Sequence, residues 1–298
     1  KIKHEYQFLE ALDTLNLKSV HWPSTFYINI NPLQIKDSSK GRRSNVLNDI
    51  HILGLRELQT KTATSMPLMY TYFWQEISVL NNKVKGLRDE RIPPGLLRKV
   101  NLLLKSIDKE QYIDLSIAHG DFTPWNCYVS NNKLSIYDWE LGMEEAPIGF
   151  DAIHYVVQSG LLQRKQTWAA IHGILEKDVL VKIFDNNRQQ FESHLKLYLL
   201  YILLSSLYLY AHQTEWHQQV LWLLTGWSCG ISSLLRHQIS QRKLLLMDIF
   251  DQLHNIPYAT LKFNSELPES LSPYSDIDMC IADNDAKKLN NYLAHHPL

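Results

Sequence analysis

His119 to Glu140 reads HGDFTPWNCYVSNNKLSIYDWE, and its grammar is that of short strands joined by tight polar turns. CYVS and KLSIYDW flank Asn131-Asn132, a pair suited to the turn of a β-hairpin. LSIAH, Leu115 to His119, supplies a strand ahead of them. His119, Asp121, Asn126 and Asp138 therefore fall on loops at the ends of short strands, where rigid elements hold chemically active groups.

On the N-terminal side the pattern is mostly helical. Ile2 to Leu17 places Tyr6, Leu9, Leu12 and Asp13 at helical spacing, with Phe8 and Leu15 widening the apolar face. Thr25 to Ile30 (TFYINI) predicts a strand closed by Asn31-Pro32. Lys36 to Arg43 (KDSSKGRR) is a polar loop whose basic side chains could grip phosphate or simply be solvated. Ser44 is the expected N-cap of a helix to about Thr60, and further helices are expected over Tyr70 to Lys85 and Pro94 to Ile107. Beyond Asp151 the chain is expected to be helical to about Leu253, then to form strands at Tyr258 to Phe263 and Asp276 to Ile281 and a helix from Asp285 to His295.

The 298 residues carry 30 basic and 31 acidic side chains, a net charge of −1, which excludes a polycation that holds nucleic acid by charge alone. No nucleic-acid partner is expected. Cys127, Cys229 and Cys280 form no CxxC pair, which fits buried or idle thiols in a reducing compartment. The amino end has no apolar signal core and no starting Met, so the chain reads as a piece cut at its front. Two uncharged runs, Leu197 to Ala211 and Val220 to Leu235, fall short of the roughly 20 residues that span a bilayer and carry Tyr or Trp through their middles. Buried core helices, no membrane span and a cytoplasmic protein are expected. His212 and His217 are five apart, not the four that set two metal ligands on one helical face.

Phosphoryl transfer needs a carboxylate beside the attacking hydroxyl and oxygen ligands for Mg²⁺. Asp121 can accept the proton of a substrate hydroxyl and orient it. Asn126, five residues on, offers an amide oxygen, and Asp138 returns along the hairpin with a charged one. Because Mg²⁺ takes hard oxygens and keeps several waters, two protein side chains suffice. Glu140 could approach a second metal or lie at the surface.

HxDxxxxN followed a hairpin later by Asp resembles the protein-kinase-like active site. The wording HGDFTPWN…IYDWE is similar to the aminoglycoside phosphotransferase and choline kinase group over roughly residues 1 to 250. The resemblance implies an α+β, protein-kinase-like fold, with a small N-terminal lobe, largely missing, and a large, mainly helical C-terminal lobe. It implies ATP and Mg²⁺, with Asp121 as catalytic base, Asn126 and Asp138 as metal ligands, His119 bracing the loop, and Asp151 of PIGFDAIHY supporting it from the helical lobe. Glu5 matches the helix Glu that pairs with a strand Lys, with Glu10 second; Lys1 and Lys3 stand too close to be that Lys. The glycine-bearing loop and strand Lys of the family would precede the first helix, so this chain by itself is expected to be a poor catalyst.

Ser275-Asp276-Ile277-Asp278 resembles the metal-binding DxD strand of nucleotidyltransferases, which implies Asp276 and Asp278 as ligands, although Pro273-Tyr274-Ser275 stands where that family has Gly-Ser. Alternating Asp on a solvated edge strand is the other reading. The expected division is 1–34, remnant of the ATP lobe; 35–250, helical lobe with the catalytic loop; and 251–298, the start of a second, incomplete domain. The expected activity is transfer of the ATP γ-phosphate to a hydroxyl of a small molecule, whether antibiotic, choline-like, sugar or glycan precursor. The alternative is a non-catalytic kinase-like binding module beside a nucleotidyltransferase-like domain.

Overall fold

A computed structural model of the protein describes residues 2–22, 24–26, 34–36, 41–261, 263 and 267–298. They form a mixed α and β chain whose sheets are small, of two or three strands each. Of the expected strand Thr25 to Ile30, residues 27–30 lie outside the described residues, as do 37–40 of the basic loop; Ser24–Phe26 pairs antiparallel with Gln34–Lys36. Contacts gather the chain into two compact units, Lys1–Ser78 with Asp108–Gln166 and Ile171–Tyr198, and Val79–Ile107 with Thr167–Ala170 and Leu199–Leu298. Those limits differ from the division at 34 and 250 read along the chain, because helices Tyr72–Lys85 and Arg188–Ala211 each contribute to both units.

In the first unit, Cys127–Ser130 and Lys133–Ile136 form the expected hairpin, in register from Cys127↔Ile136 to Ser130↔Lys133. Asn131 and Asn132 sit at φ 49° and 60°, the left-handed pair whose twist matches that of the flanking strands. Val20–His21 joins Lys133–Ile136 in parallel. One hairpin face, with Cys127, Leu134 and Ile136, is buried. Helix Asp49–Thr62 covers it so closely at Gly54 that a Cβ there would come within 2.9 Å of the Leu134 side chain and 3.0 Å of Val20.

That helix starts later than the sequence predicts. The Ser44 hydroxyl is spent in a local turn with Val46, whereas the Asn48 side chain accepts from the N–H groups of Ile50 and His51 and His51 answers it in a capping box. Helix Ile2–Asp13 ends before Leu17, and Tyr72–Lys85 and Pro94–Lys105 match their expected segments to within two residues.

A second sheet has Tyr112–Ala118 between Thr64–Pro67 and Met143–Pro147, both antiparallel to it. Neither flanking strand is predicted by its sequence. TSMP and MEEAP lack the β-branched run that marks a strand and end in proline, which edge strands tolerate. The central strand, with Ile113, Leu115 and Ala118 buried, ends where His119 begins.

The second unit is built on helices Pro94–Lys105, Gln218–Leu235 and Gln241–Gln252. Lys99 and Asp248 are fully buried and form an ion pair, joined by Ser228 and Ser232. His296 Nε2 approaches the same carboxylate at 3.1 Å. Burial pushes the Asp248 carboxyl up, but the Lys99 ammonium and hydrogen bonds from His296, Lys99 and Ser232 outweigh it and hold the group below its ordinary range. Tyr258–Leu261 and Asp278–Ile281 pair antiparallel, and helix Asp283–Ala294 follows. An Arg98–Glu269 ion pair at 2.5 Å ties this C-terminal stretch to the helices.

Among the described residues, Arg188–Ala211 is the one helix long and apolar enough to cross a membrane; 56% of its most apolar window is buried. It exceeds the uncharged run because it opens with Arg188, Glu192 and Lys196. Cys127 and Cys229 are buried, and Cys280 is exposed.

Candidate active site

The loop from His119 to Asn126 leaves strand Tyr112–Ala118 and enters strand Cys127–Ser130. Its first turn requires Gly120, at φ +83°, where a Cβ would run into the carbonyl oxygen of Leu141. Asp151, in the first turn of helix Phe150–Gln158, receives the backbone N–H groups of His119 at 2.7 Å and Gly120 at 3.1 Å. Burial raises the Asp151 carboxyl to about 6, against the two N–H groups and the neighbouring His154, which favour its charged form.

His119 fastens this loop to the hairpin. Its ring is fully buried, and burial lowers its pKa to about 4, so the imidazole is neutral. Nδ1 accepts the Asp121 N–H at 3.2 Å, which leaves the proton on Nε2 to be donated to the Tyr137 carbonyl at 2.8 Å. The ring also packs on Trp139, centroid to centroid 4.7 Å. One side chain thereby links the residue beside Asp138 to the residue that carries the candidate base.

Both Asp121 carboxylate oxygens have partners. Asn126 Nδ2 donates to Oδ2 at 3.0 Å and to the Asp121 backbone oxygen at 3.0 Å. His154 Nε2 lies 3.2 Å from Oδ1. The Asp121 side chain is 32% exposed, so solvent still reaches it. Because Asn126 donates twice through Nδ2, its Oδ1 is the atom that faces away from these contacts.

Asp138 closes the hairpin strand in a left-handed conformation, φ 64° and ψ 63°, and is exposed. The turn Trp139–Leu141 follows, with Trp139 buried and stacked on Phe8 at 5.6 Å. Glu5 accepts the Trp139 backbone N–H at 3.2 Å. Burial raises the Glu5 carboxyl, the Trp139 N–H opposes this, and the negative charges of Asp138 and Glu140 raise it further. Extra positive charge at this end of the hairpin would relieve that repulsion. An amide oxygen and a carboxylate are the donor chemistry Mg²⁺ takes, so Asn126 and Asp138 fit that ion. Among the described residues, no group of three or more His, Cys, Asp or Glu is placed to hold a metal.

The structure joins His119, Asp121, Asn126 and Asp151 directly and brings Glu5 to the residue after Asp138. The described partner of Glu5 is thus a backbone N–H. Glu10 accepts from Tyr6 at 2.6 Å, and the side chains of Lys1 and Lys3 lie outside the described residues. Both Asp276 and Asp278 are exposed in the second unit, but the strand expected from Asp276 begins only at Asp278, so Asp276 stands two residues ahead of it. His154 and Tyr198 are the residues that sequence reasoning missed. His154 follows Asp151 by three on one helix, a spacing that puts both on the face toward the loop, and this is the signal that could have found it. The chain matches no family model, no curated protein and no solved structure.

Proposed function

We propose that the protein transfers the γ-phosphate of ATP to a hydroxyl of a small molecule, at a kinase-like site of the aminoglycoside phosphotransferase and choline kinase type. The observation that carries this reading is the Asp121–Asn126 pair, a partly exposed carboxylate oriented by an amide whose oxygen is turned elsewhere. An ionised carboxylate has about four lone-pair directions, and two donors leave some open to an acceptor hydroxyl.

Asp121 takes the proton of that hydroxyl as its oxygen bonds to the γ-phosphorus. The bond from phosphorus to the bridging oxygen breaks, and its electron pair leaves on ADP. Asn126 Oδ1 and the Asp138 carboxylate would hold Mg²⁺, which when bound would offset the negative charge of the phosphates. Asp151 and His119 keep the loop rigid, so that Asp121 needs little reorganisation to reach the hydroxyl.

The test is ATP consumption, by a form of the protein that carries the glycine-bearing loop and strand Lys expected ahead of the first helix, against a panel of small alcohols, amino-alcohols and sugars, with Asp121→Asn alongside. At least one acceptor should stimulate turnover, and the variant should lose on the order of 10²-fold or more. Undiminished phosphorylation by the variant would remove Asp121 from the role of base. Mg-ATP binding without turnover would favour the non-catalytic binding module.

A further inference from the structure

His154 lies on helix Phe150–Gln158 with its side chain 3% exposed, between Asp121 Oδ1 at 3.2 Å and the Tyr198 hydroxyl at 3.3 Å from Nδ1. We propose that His154, seated by Tyr198, is the positioning residue that fixes the aim of Asp121. The inference rests on the phosphotransfer reading and deepens it.

The hydrogen bonds allow one assignment. An ionised Asp121 can only accept, so His154 donates from Nε2 and its Nδ1 is bare. Nδ1 then needs a donor, and the Tyr198 hydroxyl supplies it. Tyr198 is fully buried on helix Arg188–Ala211, and burial keeps its phenol well above the ordinary range, hence protonated. Phe150 lies nearly parallel to the imidazole, at 8° and 6.2 Å, which fixes the plane of the ring. With Oδ2 held by Asn126, each Asp121 oxygen has one neutral donor, so the carboxylate cannot rotate without losing one of them.

Asp121 faces His154 from the loop and Tyr198 from helix Arg188–Ala211, while Asp151 precedes it by one turn and His119, neutral, stands across the loop.

Two measurements test this. In kinetics, His154→Leu should lower kcat on the order of 10- to 100-fold with little change in the KM for ATP, because the carboxylate loses the donor that aims it. His154→Gln, whose amide can donate, should recover part of the rate. Tyr198→Phe should act in the same direction but less, and should add nothing to His154→Leu. Equal loss in the Leu and Gln variants, or additive effects of the Leu and Phe changes, would overturn the proposal. Independently of turnover, ¹⁵N NMR of the imidazoles, with His154 assigned by its absence in the Gln variant, should show the Nε2–H tautomer, and Asp121→Asn should shift the His154 Nε2 resonance. An Nδ1–H tautomer, or an Nε2 resonance untouched by Asp121→Asn, would overturn the proposal even in an active enzyme. If no acceptor is phosphorylated, the reaction reading fails, and the NMR result decides whether His154 governs Asp121.

Discussion

Asp151 Oδ2 accepts the backbone N–H of His119 at 2.7 Å, across 32 positions of sequence. This bond, with its neighbour from Gly120, is what ties the candidate catalytic loop to helix Phe150–Gln158. Burial, acting against these two N–H donors, makes Asp151 a carboxyl that binds its proton more tightly in the folded chain than in the unfolded one.

The sign of the resulting pH dependence is fixed. With its carboxyl raised to about 6, Asp151 contributes stability that is fully present below about pH 4 and is lost as pH rises through about 6. Asp151→Asn should remove that part of the slope in urea unfolding measured between pH 4 and 7.5. The amide should also cost about 1–3 kcal/mol, because one loop N–H loses its acceptor. A variant with the wild-type pH slope would show that Asp151 is not the source.

Gly120→Ala should destabilise the loop far more than a surface methyl would. The left-handed backbone alone costs about 1 kcal/mol for a residue with a Cβ, and the Leu141 carbonyl must also move. A loss of at least about 2 kcal/mol is expected, read by thermal or urea unfolding. A variant as stable as wild type would mean that the turn relaxes freely.

Lys99 and Asp248 answer a different question in the second unit, because both side chains are 0% exposed. Lys99→Met leaves a buried carboxylate without its counter-charge and should cost about 3–5 kcal/mol. Adding Asp248→Leu should return much of that loss, since an apolar pair of similar volume needs no desolvation. A double variant no more stable than Lys99→Met would indicate that Ser228, Ser232 and His296 depend on the charge. Asp248 also has the opposite sign to Asp151: its stabilisation is present above about pH 4 and disappears as pH falls through its lowered value.

The hairpin turn offers a gain. Asn132 sits at φ 60°, which glycine adopts without strain, so Asn132→Gly makes the Asn-Gly pair that such turns favour and should stabilise modestly, relief of the left-handed strain outweighing the added chain entropy of glycine. The melting temperature should rise while acceptor phosphorylation stays unchanged. A fall would show that the Asn132 side chain holds the turn.

The hairpin was the most legible part of the chain, since its register follows from two alternating runs and a turn pair that tolerates positive φ. The long helices were legible by period, but their starts were not. Ser44 and Asn48 are both good caps, and only the fold decides which side chain is free to take the helix N–H groups. Strands Thr64–Pro67 and Met143–Pro147 were hidden because their stability comes from pairing with Tyr112–Ala118, not from their own residues. At the site, the spacing of Asp121, Asn126 and Asp138 could be read locally. His154 and Tyr198 could not, because they reach Asp121 from 33 positions along the chain and then from a further helix.

The unequal burial of the three cysteines has a practical consequence. Burial drives the Cys127 thiol well above its ordinary range and the Cys229 thiol up to about 11, so neither offers much thiolate near neutrality. Cys280, on strand Asp278–Ile281, is exposed. A maleimide dye should therefore label the native protein at one place, two residues from Asp278, giving an optical reporter at the suspected DxD strand without any engineered mutation.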